Sequence, residues 1–319
     1  MILSLPDERD LYQNVGVRMS NLIPQLPLLE SNLNGNYEFE PENVYQVGSQ
    51  VNRKWIGELI DKLALPGSRI DNAEALAELR RRSLMGESCV IMAEHYSNFD
   101  FPTIFRFIEK QLGLKTAESL LPIRGMKLSE TLPVIAAFSR SYDTIVIYPS
   151  RTLDSITDPK KLAEVRKKSV RINQAAIREM ITRKHKGRII VVFPAGTRYR
   201  PWNPSSKKGV REISSYMKNF DNIIFMGING NLLPVNRTDD MSKEELASDL
   251  MILTCSDIVN GRRYRAEVKN MMPEEENFKR CLVDQVMREL ERIHICVEPK
   301  RLEEKHSQGF CIFTGNGVD

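Results

Sequence analysis

The chain has 319 residues, of which 41% are hydrophobic and 28% charged, and its formal net charge is +4. These values are ordinary for a soluble globular protein, and the length suffices for one large domain or two smaller ones. No apolar run reaches the ~18 residues that a membrane-spanning helix requires. Charged residues begin at Asp7, before a signal-peptide core could form. We therefore expect a cytoplasmic protein that contacts a membrane at most peripherally.

Metal- and nucleotide-binding signatures are absent from the sequence. The five cysteines include no C-x-x-C pair, and the four histidines are scattered along the chain, so the usual zinc-ligand spacings are missing. Neither G-x-x-x-x-G-K-[ST] nor G-x-G-x-x-G occurs, which disfavours nucleotide-binding kinases and dehydrogenases. We expect no metal and no cofactor.

Residues 1–71 differ from the rest of the chain. Helical patterns, such as the one over 52–65, alternate with Pro- and Gly-containing breaks at Pro24–Pro27 and Asn34–Asn36. No β-rich run is visible. The Pro-Gly-Ser sequence at 66–68 is a strong break. These patterns predict a small helical N-terminal domain over residues 1–71.

From residue 72 to residue 319, helical and strand patterns alternate. Helical spacing predicts helices over 73–84, 101–112, 160–184 and 278–293, and short apolar runs predict strands over 88–93, 144–148, 188–193 and 222–228. Strands that are apolar at nearly every position are covered on both faces, as in parallel sheets. We therefore predict an α/β domain over 72–319, with a mixed, mostly parallel sheet flanked by helices.

A histidine and an aspartate follow the predicted strand 88–93. His95 comes directly after the strand, and Asp100 precedes Phe101-Pro102, which predicts a helix start with Asp100 as its N-cap. A carboxylate bonded to one imidazole nitrogen fixes the tautomer and leaves the other nitrogen as a general base. The pair is thus a candidate catalytic dyad. The alternative is a capping aspartate beside an unrelated loop histidine.

A polar turn, Pro-Ala-Gly-Thr-Arg-Tyr-Arg, follows the predicted strand 188–193. Its two arginines, Arg198 and Arg200, are two positions apart and point the same way if the segment is extended. A guanidinium matches phosphate oxygens with two parallel hydrogen bonds. These arginines are candidate phosphate ligands, and two exposed arginines in a polar loop are the alternative.

Both segments resemble motifs of the glycerolipid acyltransferases. The His-x4-Asp block (HX4D) within 89–104 is similar to the first motif of that family. The run Phe-Pro-Ala-Gly-Thr-Arg from Phe193 is similar to its Phe-Pro-Glu-Gly-Thr-Arg motif, with Ala195 replacing Glu. The continuation to Pro201 is most similar to Pro-Ser-Gly-Gly-Arg-Asp-Arg-Pro of the soluble, plastid-type glycerol-3-phosphate acyltransferases, a branch that also lacks the Glu. The resemblance extends from about Gly86 to Pro201.

The resemblance implies a reaction. In it, His95 accepts the proton of the sn-1 hydroxyl of glycerol 3-phosphate while that oxygen attacks an acyl thioester, and Asp100 orients His95. The product is lysophosphatidic acid, an intermediate of phospholipid biosynthesis. The acyl donor is acyl-carrier protein or acyl-CoA. Arg198 and Arg200 are implied as substrate-binding residues.

The resemblance also implies a third phosphate ligand. Residues 148–152, Tyr-Pro-Ser-Arg-Thr, are similar to a family segment that carries a phosphate-binding Lys-His pair. Arg151 keeps a cation at the first of these positions. Thr152 departs from the family pattern at the second.

The segment from Lys160 to Arg188 is strongly basic, with eleven Lys and Arg residues and two acidic ones. Such a segment is either a solvated helix face or a docking surface for a carrier protein, a phosphorylated ligand or anionic lipid head groups. The plastid-type relatives use acyl-carrier protein, so the resemblance favours that partner. Because no aromatic residues interleave the basic ones, we expect no nucleic-acid partner.

Two other functions are compatible with these motifs. A related enzyme acylates the sn-2 hydroxyl of 1-acylglycerol 3-phosphate, with a substrate anchored in the membrane. A non-catalytic lipid- or carrier-binding protein could also keep the fold, although retention of both His95 and Asp100 argues against it.

Overall fold

Helices and strands alternate through most of the computed structural model, which describes residues 13–19, 21, 39–126, 140–149, 152–153, 156–238 and 240–309. The strands are Gln13–Arg18 (β1), Tyr45–Gln46 (β2), Arg69–Asp71 (β3), Cys89–Ala93 (β4), Leu120–Gly125 (β5), Thr144–Ile147 (β6), Ile189–Val192 (β7), Asn222–Asn229 (β8), Glu245–Ser248 (β9), Ile252–Cys255 (β10) and Val259–Asn260 (β11). The α-helices are Gln50–Leu63 (α1), Ala73–Leu84 (α2), Asp100–Leu112 (α3), Leu114–Ala117 (α4), Pro159–Lys184 (α5), Ile213–Asn219 (α6), Gly261–Met271 (α7) and Phe278–Ser307 (α8).

The main sheet has the strand order β2-β6-β5-β7-β4-β8-β10-β3, and β11 pairs with β8. The five strands from β6 to β8 are mutually parallel. Antiparallel pairs join β2 to β6 and β10 to β8. The predicted α/β fold with a mixed sheet flanked by helices is therefore confirmed.

Two apolar layers cover the two faces of this sheet. Alternate residues of β4 point to opposite faces. Ile91 packs in one layer with α1, α2 and α3, whereas Val90 and Met92 pack in the other with α5 and α8. Every residue of β4 and β7 is buried, which explains why these strands are apolar throughout.

The described part of residues 1–71 contains strands as well as the predicted helix. β1 forms a separate two-stranded sheet with β9, β2 pairs with β6, and β3 pairs with β10. These strands were not predicted, because short polar strands gain their hydrogen bonds from distant partners and leave no apolar run in the sequence. The domain boundary at residue 71 stays a prediction, but the observed pairing joins both sides of it in one sheet.

The last helix is longer than predicted. α8 continues past Pro299 to Ser307. Its C-terminal half is held by Asp249, whose Oδ1 lies 2.9 Å from Arg301 Nη1 and 2.7 Å from Lys305 Nζ, with all three residues buried. Within the described ranges, no helix is both long and apolar enough to cross a membrane.

Candidate active site

Parallel pairing of β4 with β7 brings the two sequence motifs to one edge of the sheet. The register joins Val90 to Ile190 and Met92 to Val192, so both strands end at the same level. The loops that carry His95 and Arg198 leave from these two neighbouring ends. A backbone hydrogen bond from Tyr199 N to His95 O, 2.7 Å long, ties the loops together.

His95 and Asp100 lie within hydrogen-bond distance of each other, as the candidate dyad requires. His95 Nδ1 lies 2.9 Å from Asp100 Oδ2, and Asp100 is only 2% exposed. The same carboxylate oxygen accepts hydrogen bonds from the backbone N–H groups of Tyr96 (2.6 Å) and Ser97 (2.9 Å). Asp100 is thus held from three directions, and His95 keeps Nε2 for other chemistry.

Asp100 does not act as the predicted N-cap. It is the first residue of α3, Phe99 precedes it as the cap residue, and no side-chain capping bond is formed. The reason is that the carboxylate turns back to His95 and the loop amides, and cannot also reach the amides of the first helical turn. Ser97 is buried, and its hydroxyl accepts a hydrogen bond from Phe99 N, so its contacts are those of a turn residue.

The second motif supplies a wall for the imidazole. The Phe193 ring stacks on the His95 ring with centroids 4.3 Å apart and an interplanar angle of 24°. Gly196 ends the following turn with φ 65°, and a Cβ on it would lie 2.9 Å from Val210 Cγ1. Both the left-handed backbone and the lack of space favour glycine here.

A cavity of about 290 Å³ opens beside His95. Its walls are the ends of β4 and β7, residues 206–209 and the face of α8 from Asp284 to Glu291. Ala195, which replaces the Glu of the motif that this segment resembles, is part of the wall. A group bound in this cavity would lie beside the imidazole.

The two candidate phosphate ligands lie near this cavity without lining it. Arg198 is 6% exposed, and its Nη1 forms a 2.5 Å ion pair with Glu244 Oε1, which is also buried. Arg200 Nη1 donates to Thr197 Oγ1 (2.9 Å) and to the Arg198 carbonyl (3.0 Å). Tyr199, between them, does line the cavity.

Arg151 lies outside the described residues, but the segment just before it is anchored. The Asn173 side chain on α5 accepts a hydrogen bond from Tyr148 N (2.8 Å) and donates one to Tyr148 O (3.0 Å). These two hydrogen bonds to Tyr148 hold the chain as it leaves β6.

A second carboxylate–histidine pair adjoins the dyad. Glu94 Oε2 lies 2.9 Å from His294 Nδ1 of α8 and accepts a hydrogen bond from Ile228 N, and Glu94 Oε1 accepts one from the Tyr96 hydroxyl (2.7 Å). Burial disfavours the charged imidazole, but the Glu94 carboxylate outweighs it and raises the pKa of His294 above its ordinary 6.5. The residues on both sides of His95 in the chain are therefore fixed to α8.

Sequence analysis missed Glu94, Tyr96, Glu244 and His294. The first two stand beside His95, so their position after a buried strand was a usable signal. His294 is 200 positions from its partner Glu94, and Glu244 is 46 positions from its partner Arg198. Nothing in the sequence links these pairs. In the part of the chain that the structure describes, no group of three or more His, Cys, Asp or Glu side chains is placed to hold a metal ion.

Sequence comparison relates the chain to known proteins. The chain is 27% identical over 163 residues to the chloroplastic glycerol-3-phosphate acyltransferase of Spinacia oleracea, and 28% identical over 153 residues to that of Arabidopsis thaliana. The chain is related to the glycerolipid acyltransferases. The aligned part is 51% and 48% of this chain, respectively, and spans about a third (31%) of the length of each relative. No protein-family model matches the chain.

Proposed function

We propose that the chain transfers a fatty acyl group from an acyl thioester to the sn-1 hydroxyl of glycerol 3-phosphate, which yields lysophosphatidic acid. The observation that carries the proposal is the His95–Asp100 pair, 2.9 Å apart beside a cavity. The relationship to the chloroplastic enzymes supports the choice of substrates.

In this proposal His95 Nε2 accepts the hydroxyl proton as the oxygen attacks the thioester carbonyl. The tetrahedral intermediate collapses, the carbon–sulfur bond breaks, and the proton passes from His95 to the departing thiolate. Asp100 stabilises the imidazolium and holds the tautomer. The acceptor hydroxyl is the nucleophile, so the mechanism needs neither an acyl-enzyme on Ser97 nor a metal.

We assign the phosphate of the acceptor to Arg200, Arg198 and Arg151, which follow β7 and β6. A bound phosphate would orient the hydroxyl towards His95 and convert a bimolecular encounter into a positioned attack. Arg198 is in addition paired with the buried Glu244 inside the protein. We propose that both arginines contact the phosphate and that Arg198 also shapes the turn.

The test is an assay of the purified chain with two donors and three acceptors. Acyl-carrier protein and acyl-CoA are each paired with glycerol 3-phosphate, 1-acylglycerol 3-phosphate and glycerol, with His95→Gln as the matched control. We expect lysophosphatidic acid from glycerol 3-phosphate with at least one donor. Product from the 1-acyl acceptor alone would replace the proposal with sn-2 acylation, and no transfer with any pair would favour a non-catalytic binding protein.

A further inference from the structure

Helix α5 turns a row of apolar side chains to solvent. Val170, Ile177 and Ile181 are 49%, 51% and 47% exposed. Together with Ala163 they follow spacings of seven, seven and four, which place them on one face of a helix. The opposite face packs on the sheet through Ile172, Ala176 and Met180. The exposed row therefore has no role in the core.

A row of basic side chains runs beside the apolar row. Lys160, Lys167, Arg171 and Arg178 follow spacings of seven, four and seven, so they lie along one flank of the same face. Across α5, six exposed residues are basic, namely these four with Lys161 and Arg166, and Glu164 is the one exposed acidic residue. The face is thus apolar along one line and positive along the next.

The shape of this face is shallow and long. A groove of about 640 Å³ lies over its N-terminal half, bordered by Pro159, Leu162, Arg166 and Val170. From Ala163 to Ile181 the apolar row spans about 27 Å at 1.5 Å per residue. A helix with one apolar row and one basic row has the pattern of amphipathic helices that lie in the interface of an anionic bilayer.

We propose that the exposed face of α5 docks on an anionic phospholipid surface. The isoleucines and Val170 enter the head-group region, and the basic row contacts lipid phosphates. An acidic carrier protein would use the basic row, but it gives no reason for an apolar row along the whole helix, so the lipid surface fits both rows. The inference is independent of the proposed acyl transfer, since docking needs none of the residues around His95.

Co-sedimentation of the full chain with vesicles tests the proposal. One set contains phosphatidylcholine alone and the other about one third phosphatidylglycerol. We expect binding to the anionic set only, and weaker binding at high salt because the basic row is screened. Ile177→Ser with Ile181→Ser should lower the vesicle affinity by about tenfold or more, since both changes remove apolar surface from the contact.

Control variants come from the opposite face of the sheet. Val51 on α1 is also 51% exposed, and Val51→Ser should leave vesicle binding unchanged. Ile177→Trp should tighten binding, whereas Val51→Trp should not, and a gain of affinity cannot arise from misfolding. Activity is not the readout, so failure of the proposed acyl transfer would not affect the result.

Three results would overturn the proposal. The first is that the wild type binds both vesicle sets equally, or that it binds neither set. The second is that Val51→Ser loses as much vesicle affinity as the double variant Ile177→Ser with Ile181→Ser. The third is binding of acyl-carrier protein that Lys167→Glu with Arg171→Glu abolishes while vesicle binding persists, which would assign the face to a protein partner.

Discussion

The His95 side chain has one partner close to it in the sequence and another from the distant second motif. Asp100 contacts the imidazole directly, and Phe193 covers its ring. The general-base role that we propose for His95 depends on both its proton affinity and its orientation. The consequences of replacing each partner can therefore be separated.

We expect His95→Ala to abolish acyl transfer and Asp100→Asn to lower turnover severely. Loss of a positioned general base typically costs about 100-fold to 10,000-fold. Steady-state kinetics of folded protein, verified by circular dichroism, measure the effect. Near wild-type turnover in His95→Ala would show that another group accepts the proton.

Arg200→Ala should raise the Michaelis constant for glycerol 3-phosphate about tenfold or more, because a charge-assisted hydrogen bond contributes roughly 1.5–3 kcal/mol. The constant for the acyl donor should change little. Arg198→Ala should in addition lower the urea midpoint, because the buried Glu244 would lose this cation. Unchanged acceptor kinetics in the Arg198/Arg200 double variant would mean that the phosphate binds elsewhere.

The raised pKa of His294 predicts a pH-dependent contribution to stability. The folded pKa lies above the unfolded value of 6.5, so the His294–Glu94 pair contributes fully below pH 6.5, and its contribution is lost as the pH rises through the folded pKa. The difference in unfolding free energy between wild type and His294→Gln, measured by denaturant titration, should therefore shrink with pH. Besides Glu94, Glu298 and Lys207 act on His294, so Glu94→Gln is the variant that isolates the pair. A difference independent of pH would contradict the assignment.

At the scale of elements, one buried carboxylate holds the end of α8 against the sheet. Asp249 contacts Arg301 and Lys305, and its Oδ2 accepts a hydrogen bond from Asn231 N. We expect Asp249→Ala to lower the unfolding free energy by about 3–5 kcal/mol, because two buried cations would lose this carboxylate. The exposed pair Arg263–Glu267 on α7 is the matched control. Its disruption should cost less than about 1 kcal/mol, and an equal effect at both sites would refute the role of Asp249.

Strand pairing across the predicted domain boundary has a consequence for the whole molecule. β2 and β3, both before residue 72, pair with β6 and β10, and α1 packs in the same apolar layer as α3. We therefore expect a fragment of residues 72–319 to be insoluble, or to unfold at a clearly lower denaturant concentration than the full chain. A fragment as stable as the full chain would support the two-domain division.

Local patterns in the sequence were sufficient to predict the α/β class, the parallel strands β4, β6, β7 and β8, several helices and the His95–Asp100 pair, whereas the central strand β5 and helix α7 were not predicted. Each depends on neighbours within about five positions, or on an apolar run that only a sheet covered on both faces explains. The helix over 73–84 was predicted with its observed bounds.

The tertiary structure alone decided the contacts between distant residues. It placed Glu94 against His294 and took Arg198 into a buried ion pair with Glu244. It also drew strands from residues 1–71 into the sheet and extended α8 past Pro299. The physical reason is the same in each case: hydrogen bonds and ion pairs between groups tens to hundreds of positions apart leave no periodicity in the sequence, whereas burial of a local apolar face does.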